Sequence, residues 1–254
     1  MAKNNIKTKE EIEIMRKAGK ILSEILSDLK SMIKPDLRVW DLEERFIFLC
    51  KKYKVLPSCK NFAPDKFPPF PTGLCISINS QSVHCFPRRN SIIREGDIIN
   101  VDTVIALEGL NVDSAFCAQV GKVSAKTKKF LETTEKALNE AILKVKDEVK
   151  IGVISNTLQK TMGHEGFNVL KDYAGHGIGY HMHEVPEIPC YGKKNEGPSI
   201  KEGMTICIES LACSGDDRIT NMNAWETKMS DDGLFCIFEH TVLVTKNGYE
   251  VLTK

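Results

Sequence analysis

Residues 95–113 read EGDIINVDTVIALEGLNVD, and this stretch decides how the chain folds. Two apolar runs, Ile98 to Ala106 and Leu110 to Val120, flank Leu107-Glu108-Gly109. Runs of that length, rich in Ile and Val and parted by a short Gly-containing turn, predict an antiparallel hairpin. The turn sets Asp102 and Asp113 nearly opposite each other on paired strands. Like charges so placed weaken a ladder. A shared cation removes the repulsion; the alternative is that one or both aspartates stand at an exposed strand edge.

The same tension recurs further along. Met204 to Leu211 and Leu234 to Thr245 read as strands, and each carries a carboxylate inside its apolar run: Glu209 after Ile206-Cys207-Ile208, and Glu239 after Phe235-Cys236-Ile237-Phe238. A charged carboxylate there is costly unless paired or neutralised. The alternative for either is a buried ion pair with Lys or Arg. His176 stands among Gly175, Gly177 and Gly179, whose lack of side chains lets the backbone approach closely. A lone histidine is usually structural, but His181 and His183 follow within seven residues. Four carboxylates gathered in one apolar place repel unless cations offset them. Two divalent ions carry four positive charges, so a dinuclear centre and metal-assisted hydrolysis lead. One imidazole with four carboxylates suits Mn, Fe or Co at least as well as Zn.

Other chemistries are weaker. No Gly-x-Ser-x-Gly elbow and no phosphate-binding glycine loop is present. Cys85 lies beside His84, but neighbours on a strand point to opposite faces and do not readily form a dyad. Net charge is +1, with 35 Lys plus Arg against 34 Asp plus Glu, so nothing global points to nucleic acid or a membrane. No stretch approaches the roughly 18 apolar residues of a membrane span. The N-terminal Met-Ala-Lys-Asn-Asn-Ile-Lys lacks the apolar core of a secretory signal. Nine cysteines with no Cys-x-x-Cys pair argue against a disulfide framework and for a reducing cytoplasm.

Around these strands the chain predicts helices. Thr8-Lys9-Glu10-Glu11 has the form of a capping box, and Met15, Ala18, Leu22, Ile25 and Leu29 follow at helical spacing, giving a helix over about 9–31. Val39, Leu42, Phe46, Leu49 and Tyr53 outline a second. Thr127 to Val149 reads as a long helix and Val153 to Met162 as a shorter one, while Ile76 to Val83 is a short strand candidate. Residues 57–72 carry five prolines and three phenylalanines without periodicity: a long loop, either a solvated connector or a pocket wall. An internal echo is visible. Arg94-Glu95-Gly96 precedes Asp102 by the spacing at which Lys201-Glu202-Gly203 precedes Glu209, and a His-x-x-Pro stands upstream of each, at His84 and His183. Two related halves, each giving a turn, a strand and a ligand to a shared centre, account for it. With no composition break, residues 1–254 are expected to form one α/β domain.

The ordered set Asp102, Asp113, His176, Glu209 and Glu239, with the contexts Glu95 to Asp102, Gly175 to Gly179 and Phe238-Glu239-His240-Thr241, resembles the type I methionine aminopeptidases from the first helix to the C-terminus. The resemblance implies the pita-bread fold, a central antiparallel sheet flanked by helices in two pseudo-twofold halves. It implies two divalent ions (Co, Mn, Fe or Zn): Asp102 on one, Asp113 and Glu239 bridging, His176 and Glu209 completing the other. Catalytic roles fall on Glu209 as general base, His183 at the scissile carbonyl and His84 at the amide nitrogen of the second substrate residue. Cys59, Phe67, Phe70, Cys75, Met182 and Trp225 match the methionine pocket. The implied activity is removal of the initiator methionine from nascent polypeptides, at the ribosome, by a cytoplasmic monomer, favouring a small second residue.

The chain departs from the family pattern at several points. Cys85-Phe86 follow His84 where Gly-Ile is usual, Ser210 replaces a proline, Met182 replaces a phenylalanine, and Phe67 and Phe70 stand where bacterial relatives often have tyrosines. The loop between Cys59 and Cys75 is about five residues longer than in common bacterial relatives, a departure that bears on pocket shape. About 30 residues between Glu209 and Glu239 leave no room for the type II insertion. Prolidases of the same fold are expected to carry an extra N-terminal domain, and only about 100 residues precede Asp102. A partner-binding protein of this fold that had lost catalysis would be expected to have lost ligands as well.

Overall fold

The computed structural model describes residues 5–254; the first four residues of the polar N-terminal stretch lie outside the described residues. Thr8 caps the first helix, α1 (Lys9–Met32), and its reciprocal bond with Glu11 completes the capping box. α2 (Val39–Tyr53) follows and ends where Lys54 turns left-handed. After β1 (Leu56–Pro57) and β2 (Cys75–Ile78) comes the central hairpin, β3 (Ile98–Leu107) and β4 (Leu110–Gln119). Glu108 and Gly109 both have positive φ, as the tightest hairpin turns require.

The second half begins with α3 (Ala125–Ile142) and α4 (Ile151–His164). Then come β5 (Asn168–Val169), β6 (Ala174–Gly177), β7 (Glu184–Pro189), β8 (Thr205–Cys213), β9 (Ile219–Asn221), β10 (Thr227–Met229), β11 (Phe235–Thr245) and β12 (Gly248–Val251). The strand pairs are antiparallel, and the main path of the sheet runs β1-β3-β4-β11-β8-β6-β7. α1 packs on β3 and β4; α3 packs chiefly on β8 and β11. Each half thus lays one helix, α1 or α3, over an antiparallel strand pair and packs a second helix, α2 or α4, against the first, in keeping with the two halves of the sequence echo. Gly96 and Gly203, at matching points of that echo, both adopt positive φ just before β3 and β8.

Helices cover one face of the sheet and leave the other for chemistry. On β4, Phe116 turns toward α1, where Lys30 lies over its ring at 5.4 Å. Asp113 and Ala115, one residue out of phase, point the opposite way. The apolar stripe of α1 is wholly buried at Met15, Ala18, Leu22, Ile25 and Leu29.

Three expectations need correction. Asp102 pairs with Ala115, and Asp113 with Val104, so the aspartates are diagonal neighbours on one face rather than directly opposed. The helix expected over 127–149 stops at Ile142: Leu143 is exposed, and Lys144, Lys146, Asp147 and Glu148 offer little to bury. The strand expected over 76–83 covers Cys75–Ile78 alone, because the chain turns through Asn79 at positive φ.

Gly19 shows how tightly α1 is seated. A Cβ there would lie 2.1 Å from the carbonyl oxygen of Leu252. Helix propensity alone favours Gly19→Ala by about 1 kcal/mol. The backbone clash should reverse that sign and destabilise the fold by about 1–3 kcal/mol. Thermal unfolding reads the outcome, and a raised Tm would contradict this packing.

Candidate metal centre and substrate cavity

Five neighbouring strands each contribute one candidate ligand: Asp102 from β3, Asp113 from β4, Glu239 from β11, Glu209 from β8 and His176 from β6. The register puts the four carboxylates on one face. Asp102 pairs with Ala115, Ala115 with Glu239, and Glu239 with Glu209, while Asp113 shares the face of Ala115 two residues away. Asp113, Glu209 and Glu239 are at most 9% exposed. His176 Nε2 lies 3.6 Å from Glu209 Oε1 and 3.9 Å from Asp113 Oδ2.

The glycines around His176 are there for space. A Cβ at Gly175 would lie 2.4 Å from the Cys207 carbonyl oxygen, and one at Gly177 would lie 2.4 Å from that of Val185. His176 Nδ1 stands 2.9 Å from the Gly177 carbonyl, which can only accept, so Nδ1 carries the proton. That leaves the Nε2 lone pair facing the carboxylates, the orientation a metal-ligating imidazole needs. Burial lowers the His176 pKa to about 4, so the ring is neutral at pH 7 and forms no ion pair with them.

The electrostatics call for cations. Desolvation and mutual repulsion raise Asp113 and Glu239 well above the usual carboxyl range; desolvation, with a smaller push from Asp102, does the same to Glu209. No Lys or Arg pairs with any of the four carboxylates among the described residues, which removes the buried-ion-pair alternative. Asp113 Oδ1 and Glu239 Oε1 are buried with no hydrogen-bond partner. Orphaned oxygens of this kind, beside a neutral imidazole, suit divalent metal. Asp113 is fixed from behind: its backbone N–H donates to Thr241 Oγ1 at 2.9 Å, and that hydroxyl donates to the Asp113 carbonyl at 2.8 Å.

A cavity of about 590 Å³ opens beside this cluster, and Asp102 and Asp113 form part of its wall. Each residue matched to the methionine pocket lines it: Cys59, Phe67, Phe70, Cys75, Met182 and Trp225. His84 and His183 line it too. Burial lowers the pKa of both, that of His84 to about 4, so each is a neutral imidazole at pH 7. His84 has φ 58, a strained conformation for a residue other than glycine, of the kind that concentrates at functional sites. His183 meets His176 edge-on at 4.6 Å between ring centres.

The long loop is a pocket wall. Phe67 lies against Trp225 at 4.8 Å, and the Trp225 indole N–H donates to the Pro68 carbonyl at 2.8 Å. Sequence reading missed Phe62, which lines the cavity and meets the rings of His183 and Trp225. It also missed Tyr173, whose ring meets His84 at 5.1 Å. Neither lies in a periodic stretch, so only its aromatic character could have marked it.

A sheet that gathers acidic ligands beside an apolar cavity defines a metal-dependent hydrolase. Residues 13–246 match the model of metallopeptidase family M24. The chain is 36% identical over 252 residues to methionine aminopeptidase 1 of Bacillus subtilis, with 98% of each covered. The methionine aminopeptidase of Thermotoga maritima superposes with a TM-score of 0.94 at 36% identity, with 98% of each chain covered. A prolidase from Pyrococcus furiosus shares the fold alone, with a TM-score of 0.72 at 24% identity and 65% of its length covered. The chain therefore belongs to metallopeptidase family M24 and, within it, to the methionine aminopeptidases. It has the pita-bread fold and is an aminopeptidase that uses divalent metal ions. None of its helices, among the described residues, is long and apolar enough to cross a membrane.

The charge cluster makes a prediction for the metal-free protein. Desolvation pushes the Asp102 pKa up to about 6 from 3.8. A carboxyl raised on folding holds its proton better folded than unfolded, so its stabilisation is full below pH 3.8 and lost as pH climbs through about 6. Relative to Asp102→Asn, chelated wild type should lose on the order of 3 kcal/mol across that window. Adding Mn²⁺ or Co²⁺ at neutral pH should restore it. Denaturant titrations showing no pH-dependent difference between the two proteins would refute the charge argument.

Proposed function

We propose that this chain, acting as one catalytic domain, removes the N-terminal methionine from polypeptides whose second residue is small. What supports the reading is the abutment of five convergent ligands on an apolar, sulfur-lined cavity. Asp102, Asp113, His176, Glu209 and Glu239 would hold two divalent ions, which when bound would supply Lewis-acid polarisation and ease deprotonation of the attacking water. Glu209 takes that proton and delivers it toward the leaving amine. The neutral His183 donates an N–H to the scissile carbonyl oxygen and to the oxyanion that develops there. The neutral His84 accepts from the amide N–H of the second substrate residue and orients the bond.

Cys59, Cys75 and Met182 offer soft, polarisable walls to a thioether, and Phe62, Phe67, Phe70 and Trp225 close the cavity with aromatic surface. The nine free, buried cysteines support a reducing cytoplasm as the setting. There the enzyme would meet nascent chains at the ribosome, as a monomer.

Met-Ala-Ser is the direct substrate test, set against a dipeptide ending in proline. Free methionine should be released from the tripeptide, vanish on chelation and return with added Mn²⁺ or Co²⁺. His84→Ala should lower kcat/KM by about 10²-fold while keeping the wild-type metal content. Silence with every divalent ion, or cleavage of the proline dipeptide alone, would refute the reading; unchanged turnover in His84→Ala would remove His84 from the mechanism.

A further inference from the structure

Cys207 lies where the sequence reading assigned no ligand. It precedes Glu209 by two residues on β8, so both point to the same face of the sheet. Its register partner on β11 is Thr241, just as Glu239 is the partner of Glu209. The sulfur is fully buried, 3.7 Å from Thr241 Oγ1, and the thiol also faces the carboxylate of Glu239. Taking one ligand atom each from Asp113, His176, Cys207 and Glu239, all four lie within 4.8 Å of one another. Trans donors of an octahedral ion stand about 4.2 Å apart, so a small contraction closes this set around one ion. The unpartnered Asp113 Oδ1 and Glu239 Oε1, 5% and 2% exposed as residues, belong to the same group.

We propose that Cys207 is a sulfur ligand of the ion held by Asp113, His176 and Glu239, giving this centre a soft donor beside its hard oxygens. The inference rests on the metal-centre reading above. The thiol proton leaves to solvent as the ion binds, as it does at any cysteine ligand. The consequence is selectivity: a thiolate favours thiophilic ions such as Co²⁺, Zn²⁺ and Cd²⁺ over Mn²⁺.

The test is optical, and separate from activity. Metal-free full-length protein is titrated with Co²⁺ while near-ultraviolet absorption and bound cobalt are recorded. Wild type should develop a sulfur-to-cobalt charge-transfer band in proportion to cobalt bound. Cys207→Ser and Cys207→Thr should bind cobalt without the band, and their preference for Cd²⁺ over Mn²⁺ should fall by about tenfold or more. Cys59→Ser/Cys75→Ser, which removes the two cavity thiols, should keep the band. Wild type that binds cobalt without a band overturns the proposal and leaves the metal centre standing. A band that survives in Cys207→Ser, or disappears in Cys59→Ser/Cys75→Ser, assigns it to the other thiols and overturns the proposal as well. Wild type that binds no cobalt overturns both readings.

Discussion

Repulsion among four clustered carboxylates, three of them buried and Asp102 half-buried at the cavity wall, is the constraint on which the rest of this molecule depends. Asp102, Asp113, Glu209 and Glu239 sit on adjacent strands, facing the same way, beside a neutral imidazole, and no lysine or arginine of the described residues pairs with them. Left alone, such a group takes up protons or pushes the strands apart. Divalent ions bound there would offset the charge and turn the liability into a Lewis-acid centre. The same charges that would weaken the fold therefore carry the chemistry.

The sheet can bear this strain because its other face is heavily packed. α1 and α3 bury their apolar stripes against the two strand pairs, and the glycines at 19 and 175 let backbones meet where any side chain would clash. Ligands placed one per strand inherit the rigidity of the ladder, which holds donor positions better than loops do. The loops complete the cavity: the Pro64–Pro68 turn, pinned to Trp225, forms part of its wall.

Much of this could be read in the sequence. Carboxylates inside apolar runs, such as Glu239 after Phe235-Cys236-Ile237-Phe238, announce a cost that some partner must offset, and the pattern survives without knowledge of the fold. Capping at Thr8 and the turn at Glu108-Gly109 are equally local signals. What escaped depended on register and tertiary packing. Hairpin symmetry suggested opposed aspartates, whereas Asp102 pairs with Ala115 and the offset of two residues follows from the placement of the turn. Cys207 reads in sequence as one more apolar residue of a buried strand; only the pairing of β8 with its neighbours sets it near Glu239 and His176. Phe62 sits in a loop without period, so nothing short of the folded wall sets it beside His183.

Anomalous diffraction from crystals grown with Mn²⁺ bears most directly on the central claim. Two ions should appear side by side among the five donors, with Asp113 and Glu239 between them. Anomalous peaks elsewhere, or a lysine or arginine swung in to neutralise the carboxylates instead, would contradict it.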